Sequence, residues 1–200
     1  VGNKMNAKIF NLILLALGVF CVIGCTDVYD AVDDIKSTVM SDDNGELGVS
    51  GRNLDVFSTK PHVVTQAFYT DANGETKIIT PRASNRQLVV INVTVVNRTS
   101  TVIPLLVDEE AVQIGDRRSK RFGAIDYSTS SKSYSGILEE GLNIKNINPL
   151  LWGDVELPRQ MQVSGHVVFD VPKGLLLGTV FWDEVEYIPV DFVDYWSDRD

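Results

Sequence analysis

Hydrophobic and polar positions alternate with a period of two along much of this chain beyond Leu54. In 88–97, Val89, Ile91, Val93 and Val95 form one apolar row, while Asn92 and Thr94 mark the opposite face. Branched side chains in that rhythm suit a half-buried pleated strand. Residues 163–171 repeat it, with Val163, Gly165, Val167, Phe169 and Val171 turned inward and Ser164, His166 and Asp170 turned outward. Pro172-Lys173-Gly174 ends that run, because proline has no N–H for the ladder. Two further β-type runs cover 175–182 and 185–193, separated by the acidic corner Asp183-Glu184. Weaker strands fit 54–58, 63–69, 77–79, 102–107, 111–114 and 121–127. Asp71-Ala72-Asn73-Gly74 and residues 115–120 supply hairpin turns between them. Between 136 and 152 the pattern is neither clearly strand nor helix, although Ile137, Leu138, Leu142, Ile144 and Ile147 would support one short helix, ended by Pro149. Many short strands with turn residues between them predict an all-β antiparallel fold, a sandwich or a barrel. No crossover-helix pattern supports a parallel α/β sheet.

The first 25 residues follow a different rule. Lys4 and Lys8 precede Ile9 to Gly24, a run of 16 residues without a charge. A basic start and an apolar stretch shorter than the ~20 residues of a membrane-spanning helix have the layout of a secretion signal. Val22-Ile23-Gly24-Cys25 resembles the bacterial lipobox, with Ile23 larger than the usual small residue. That resemblance implies diacylglycerol on the Cys25 thiol and cleavage between Gly24 and Cys25. Several acyl chains give stable membrane attachment where one would not. Residues 26–53 are acidic and broken by Gly45, Gly48 and Gly51, which predicts a solvated tether. The expected domains are therefore a signal peptide at 1–24, a lipidated acidic linker at 25–53, the sandwich at 54–194 and a tail at 195–200.

Charge and cysteine usage narrow the function classes. The chain carries a formal charge of −9, and losing Lys4 and Lys8 with the leader makes it −11. A surface that negative repels phosphate backbones and anionic headgroups, so nucleic acid is not an expected partner. Any membrane hold must come from covalent lipid. Of the two cysteines, Cys21 lies in the leader, so the mature chain can form no internal disulfide.

Residues 87–97, Val112-Gln113-Ile114-Gly115-Asp116 and the 165–174 run Gly-His-Val-Val-Phe-Asp-Val-Pro-Lys-Gly resemble a family of bacterial immunoglobulin-like modules of unknown function. Many of that family's members are lipoproteins or secreted antigens. The likeness covers about 54–190, and Pro158-Arg159 stands where members often carry Pro-Gly. Its motifs are packing signatures, so it implies an immunoglobulin-like sandwich and no activity.

Reactive chemistry has little to stand on in the sequence. His62 and His166 read as surface residues; a triad or zinc site needs them to converge with further ligands. A deep pocket lined by both would weigh against a non-enzymatic role. No phosphate-loop glycine spacing occurs, and no cofactor is expected. Acidic corners offer Asp108, Glu109, Asp183 and Glu184 as calcium candidates, since calcium wants six or more oxygens. Asp71 to Glu75 and Asp42 to Glu46 look like calcium loops but lack the twelve-residue spacing, which favours plain turns. Tyr195 and Trp196, past the last strand, are the aromatic candidates for a protein interface. The sequence thus predicts a lipid-anchored, non-enzymatic module that contacts another envelope protein. A calcium-dependent adhesion module or a carboxylate-based envelope hydrolase is the alternative. Thr26 lacks the aspartate that retains some lipoproteins at the inner membrane, which favours the outer membrane where a cell has one.

Overall fold

The computed structural model describes residues 40–41, 46–115 and 120–192. Gly24, Cys25, Tyr195 and Trp196 lie outside the described residues, as does most of the tether. In chain order the elements begin with β1 (Met40–Ser41), β2 (Glu46–Ser50), β3 (Leu54–Thr59), β4 (His62–Val64), β5 (Gln66–Thr70) and β6 (Thr76–Ile79). Next come β7 (Arg86–Asn97), β8 (Ile103–Val107), β9 (Val112–Gly115), β10 (Phe122–Gly123) and the single turn α1 (Tyr127–Ser130). The chain continues through β11 (Ser131–Ser133), β12 (Ile144–Asn146), β13 (Gly153–Leu157), β14 (Gln162–Pro172), β15 (Thr179–Glu184) and β16 (Glu186–Asp191).

The two strongest alternating runs in the sequence become the centre of the fold. β14 pairs antiparallel with the whole of β7, from Gln162 opposite Val96 to Pro172 opposite Arg86. β3 and β4 share the other edge of β7, opposite 93–97 and 88–90. Between them Thr59, Lys60 and Pro61 oppose only Ile91 and Asn92, so one extra residue bulges from the ladder. Pro61 has no N–H, and the Thr59 hydroxyl accepts the Asn92 N–H at 2.8 Å, which keeps that donor satisfied.

The odd-numbered row of β7 faces the core, as the alternation requires. Val89, Ile91, Val93 and Val95, with Phe169 and Val171 of β14, pack against a second sheet of order β10-β9-β15-β16. Val112, Ile114, Val180 and Trp182 project from that sheet, and the β8–β13 ribbon adds Leu105 and Leu157. This is the expected sandwich. The even-numbered row is covered too, but only at one end. A third sheet of order β11-β6-β5-β12 packs Ala67, Tyr69, Ile79 and Ile147 against Leu88, Val90 and Val168. β7 is therefore buried at every residue from Leu88 to Ile91, and alternates again beyond Asn92.

Several expectations need correction. The 63–69 strand breaks at Thr65, where the chain leaves the first sheet for the third. No helix forms at 136–152. Ile144–Asn146 instead pairs with β5, and in parallel, so the sheets are not all antiparallel. Ile147 alone of that helix pattern is fully buried, while Ile137 and Leu142 are 92% and 88% exposed. Apolar residues at helical spacing failed to make a helix because only one of them meets a core. Of 121–127, only Phe122–Gly123 is strand; Asp126 then caps α1 by accepting the Ser128 N–H. β15 starts at Thr179, later than expected, and Asp183 and Glu184 sit within it; the chain reverses at Val185, with φ of 68°. The acidic linker does not reach residue 53, since β2 pairs with β3 and packs the half-buried Leu47 and Val49 against the main core.

Gly165 shows how closely the layers approach. A Cβ there would lie 2.7 Å from the Leu151 nitrogen and 2.8 Å from the Leu150 carbonyl carbon. Both contacts are backbone, and residues 149–151 are tied to β14 by His166 N–H to the Pro149 oxygen and Leu151 N–H to the His166 oxygen. Gly165→Ala is expected to cost about 1–3 kcal/mol through that overpacking. An unchanged urea midpoint would show that the segment yields freely.

Candidate functional site

Where the third sheet stops, the even-numbered row of β7 comes to the surface. His62 lies opposite Val90, and His166 lies opposite Asn92, so both histidines share that face of the first sheet. Lys60 enters from the bulge and Lys145 from β12, at the edge of the third sheet. Together they line an open groove of about 270 Å³. The convergence comes from strand pairing between distant segments, and no local motif announced it. It is the one observation that weighs toward chemistry, yet the neighbours are not those of a triad. His166 Nδ1 lies 3.3 Å from the Pro149 carbonyl oxygen, not from a carboxylate. The nearby Thr59 hydroxyl accepts a backbone N–H.

Electrostatics set the state of these groups. Burial pushes the His166 imidazole below its ordinary value; the Pro149 carbonyl opposes that, Lys145 adds to it, and Glu140 opposes it again. Lys145 Nζ donates to Glu140 at 2.6 Å. Thr94 Oγ1 donates to Ser164 Oγ, which donates to Asn92 Oδ1, each at 2.9 Å. The relay fixes the Asn92 amide with its oxygen engaged.

A second cleft, of about 440 Å³, opens between the β5–β6 hairpin and α1. Tyr69 and Tyr127 meet edge to face at 5.2 Å, and the Tyr69 hydroxyl is 2.9 Å from Ser131 Oγ. Burial pushes the Tyr127 phenol above its ordinary value, with Tyr69 and Asp126 adding to it. Asp71 caps this hairpin. Its Oδ1 accepts the N–H groups of Asn73 and Glu75, and with nearby Lys77 they hold its carboxyl below the usual range. The 71–75 stretch is thus a turn, with Gly74 at φ 82°.

The acidic corners Asp108-Glu109 and Asp183-Glu184 are brought together, and one oxygen each of Asp108 and Glu184 is committed to backbone. Asp108 Oδ1 accepts from Glu110 and Ala111 N–H, and Glu184 Oε1 accepts from Leu106 N–H. Asp183 is exposed beside Ala111, whose carbonyl accepts the Asp183 N–H; Glu109 is exposed in the 108–111 turn. Glu186 gathers the N–H groups of Arg52, Asn53 and Leu54 at 2.6–2.8 Å, closing the β2–β3 turn. Among the described residues no group of three or more His, Cys, Asp or Glu is placed to hold a metal ion.

Asp170 corrects the expectation of an outward-facing polar residue. It does point away from the main core, but its carboxylate is buried beneath Arg82 and Arg86, whose Nε atoms donate to it at 2.6 and 2.9 Å. Alternation reads which face a side chain takes, not what lies over that face.

No family model, curated protein or solved structure matches this chain. The likeness to immunoglobulin-like modules therefore rests on the strand residues alone.

Proposed function

We propose that this chain is a lipid-anchored cell-envelope protein whose β body, an immunoglobulin-like sandwich, acts as a non-enzymatic interaction module. The observation that carries the reading is the basic start, the uncharged run to Gly24 and the Val22-Ile23-Gly24-Cys25 sequence ahead of a folded β body. A strongly acidic protein has no electrostatic reason to stay at an anionic membrane, so acyl chains on Cys25 supply the hold. Open grooves on either side of the third sheet, and the exposed Ile137 and Leu142 beside it, offer surface for another envelope protein. Tyr195 and Trp196 remain candidates for that contact. The calcium-dependent and hydrolytic alternatives draw on carboxylates such as Asp108, Glu184 and Glu186, whose oxygens cap backbone N–H groups.

Expression in a bacterium fed an alkyne-bearing palmitate analogue tests the anchor. The full chain is expected to take up the label and sediment with membranes, and Cys25→Ser to lose the label with an uncleaved leader. A mature N-terminus free of acyl mass would discard the reading.

A further inference from the structure

We propose that the groove at the step between the third sheet and β7 binds an oxyanionic group, a carboxylate or a sulfate- or phosphate-type headgroup, through Lys60, His62, Asn92, Lys145 and His166. This goes beyond the anchoring reading and stands whether or not Cys25 is acylated.

Composition makes the groove unusual for this chain. Acidic side chains outnumber basic ones 27 to 18, yet among the described residues no acid lines the groove, while two lysines and both histidines do. Low-dielectric walls flank those charges, because Val90 and Ile91 form part of the floor. A concave surface of one sign concentrates field and counter-ion.

Hydrogen bonding agrees with charge. The Thr94–Ser164 relay occupies the Asn92 amide oxygen, and among the described residues nothing takes its NH₂ group, so a donor is left over. Donation from His166 Nδ1 to the Pro149 carbonyl fixes the ring and leaves Nε2 as the other edge, a donor once protonated. Lysine, asparagine and protonated histidine are together a donor set for anionic oxygen.

Glu140 is the built-in competitor. It holds Lys145 at 2.6 Å from outside the groove lining, so an incoming oxyanion must share or displace it. The charged and titratable groups around His166 are Lys145 and Glu140 on one side, and Lys60 and His62 across the groove. Burial and Lys145 both resist its protonation, so a bound anion is what makes the imidazolium favourable.

With only two histidines, each ring can be followed separately by NMR in the full chain held in detergent micelles, with His62→Gln and His166→Gln giving the assignments. Sulfate keeps its charge over the range used and is the first probe; acetate is the carboxylate probe, and chloride at matched ionic strength is the control. Saturable shifts of both rings are expected with sulfate or acetate, and whichever saturates at lower concentration names the headgroup. The His166 midpoint is expected to rise on binding, and sulfate affinity to rise as pH falls, roughly tenfold for each unit of that rise. Lys60→Glu is expected to abolish the shifts and Glu140→Gln to strengthen them; both positions are exposed, so folding is preserved. Shifts equalled by chloride, or unchanged by Lys60→Glu, would overturn the proposal.

Discussion

Trp182→Ala is expected to lower the unfolding free energy by about 4 kcal/mol, the largest loss from any single side chain here. Trp182 is fully buried and is the largest side chain in the core. On β15 it lies between Val112 of β9 and Ile188 of β16, so the middle of the second sheet closes around it. Alanine leaves a cavity that paired strands on both sides cannot collapse into. It also removes the indole N–H that donates to the Glu184 carbonyl at 2.8 Å, where β15 turns into β16. Trp182→Phe separates the two effects, because it keeps most of the volume and loses the donor; about 1–2 kcal/mol is expected. Urea unfolding of the full chain in micelles reads both. A Trp182→Ala midpoint close to that of the parent chain would mean that the sandwich does not close where the structure places it.

Arg86→Ala is expected to cost about 3 kcal/mol, and Arg82→Ala no more than about 1 kcal/mol, although both arginines bind the same carboxylate. The Asp170 side chain is 1% exposed; Arg86 is 26% exposed and Arg82 is 70% exposed. Removing Arg86 takes the shielded partner from a buried carboxylate and leaves it only the exposed Arg82, whereas water replaces much of what Arg82 supplies. Arg86 also reaches the Asp170 backbone oxygen, which Arg82 does not. The measurement is a pair of urea curves, repeated at high salt, with the Arg86 loss expected to persist. Equal losses from the two variants would show that the burial difference has no energetic meaning.

These expectations rest on what the sequence made legible. The inner row of β7 and β14 was readable because alternation of branched residues is a local signal, and Val89, Ile91, Val93, Val95, Val167 and Phe169 all reached the main core. The outer row was misjudged. Leu88, Val90, Val168 and Asp170 lie on the face assigned to solvent, and they are buried because a third sheet and two arginines cover it. That sheet is assembled from strands of three to five residues, too short to carry a period, and its β5–β12 pairing joins remote parts of the chain. The groove was hidden for the same reason. His62 and His166 are each ordinary in their local context, and only β7, lying between their strands, makes them neighbours.

β7 also determines when this protein can become a protein. Its β3–β4 edge is supplied by segments already made, but the other edge waits for β14, whose eleven residues come some sixty-five positions later. During synthesis a twelve-residue, valine-rich ribbon therefore has one flank of unmet amides and carbonyls, an edge that invites pairing with other chains. Long-range closure of this kind is slow. Residues 162–191 are thus its clasp, and the hazard of aggregation ends when they emerge.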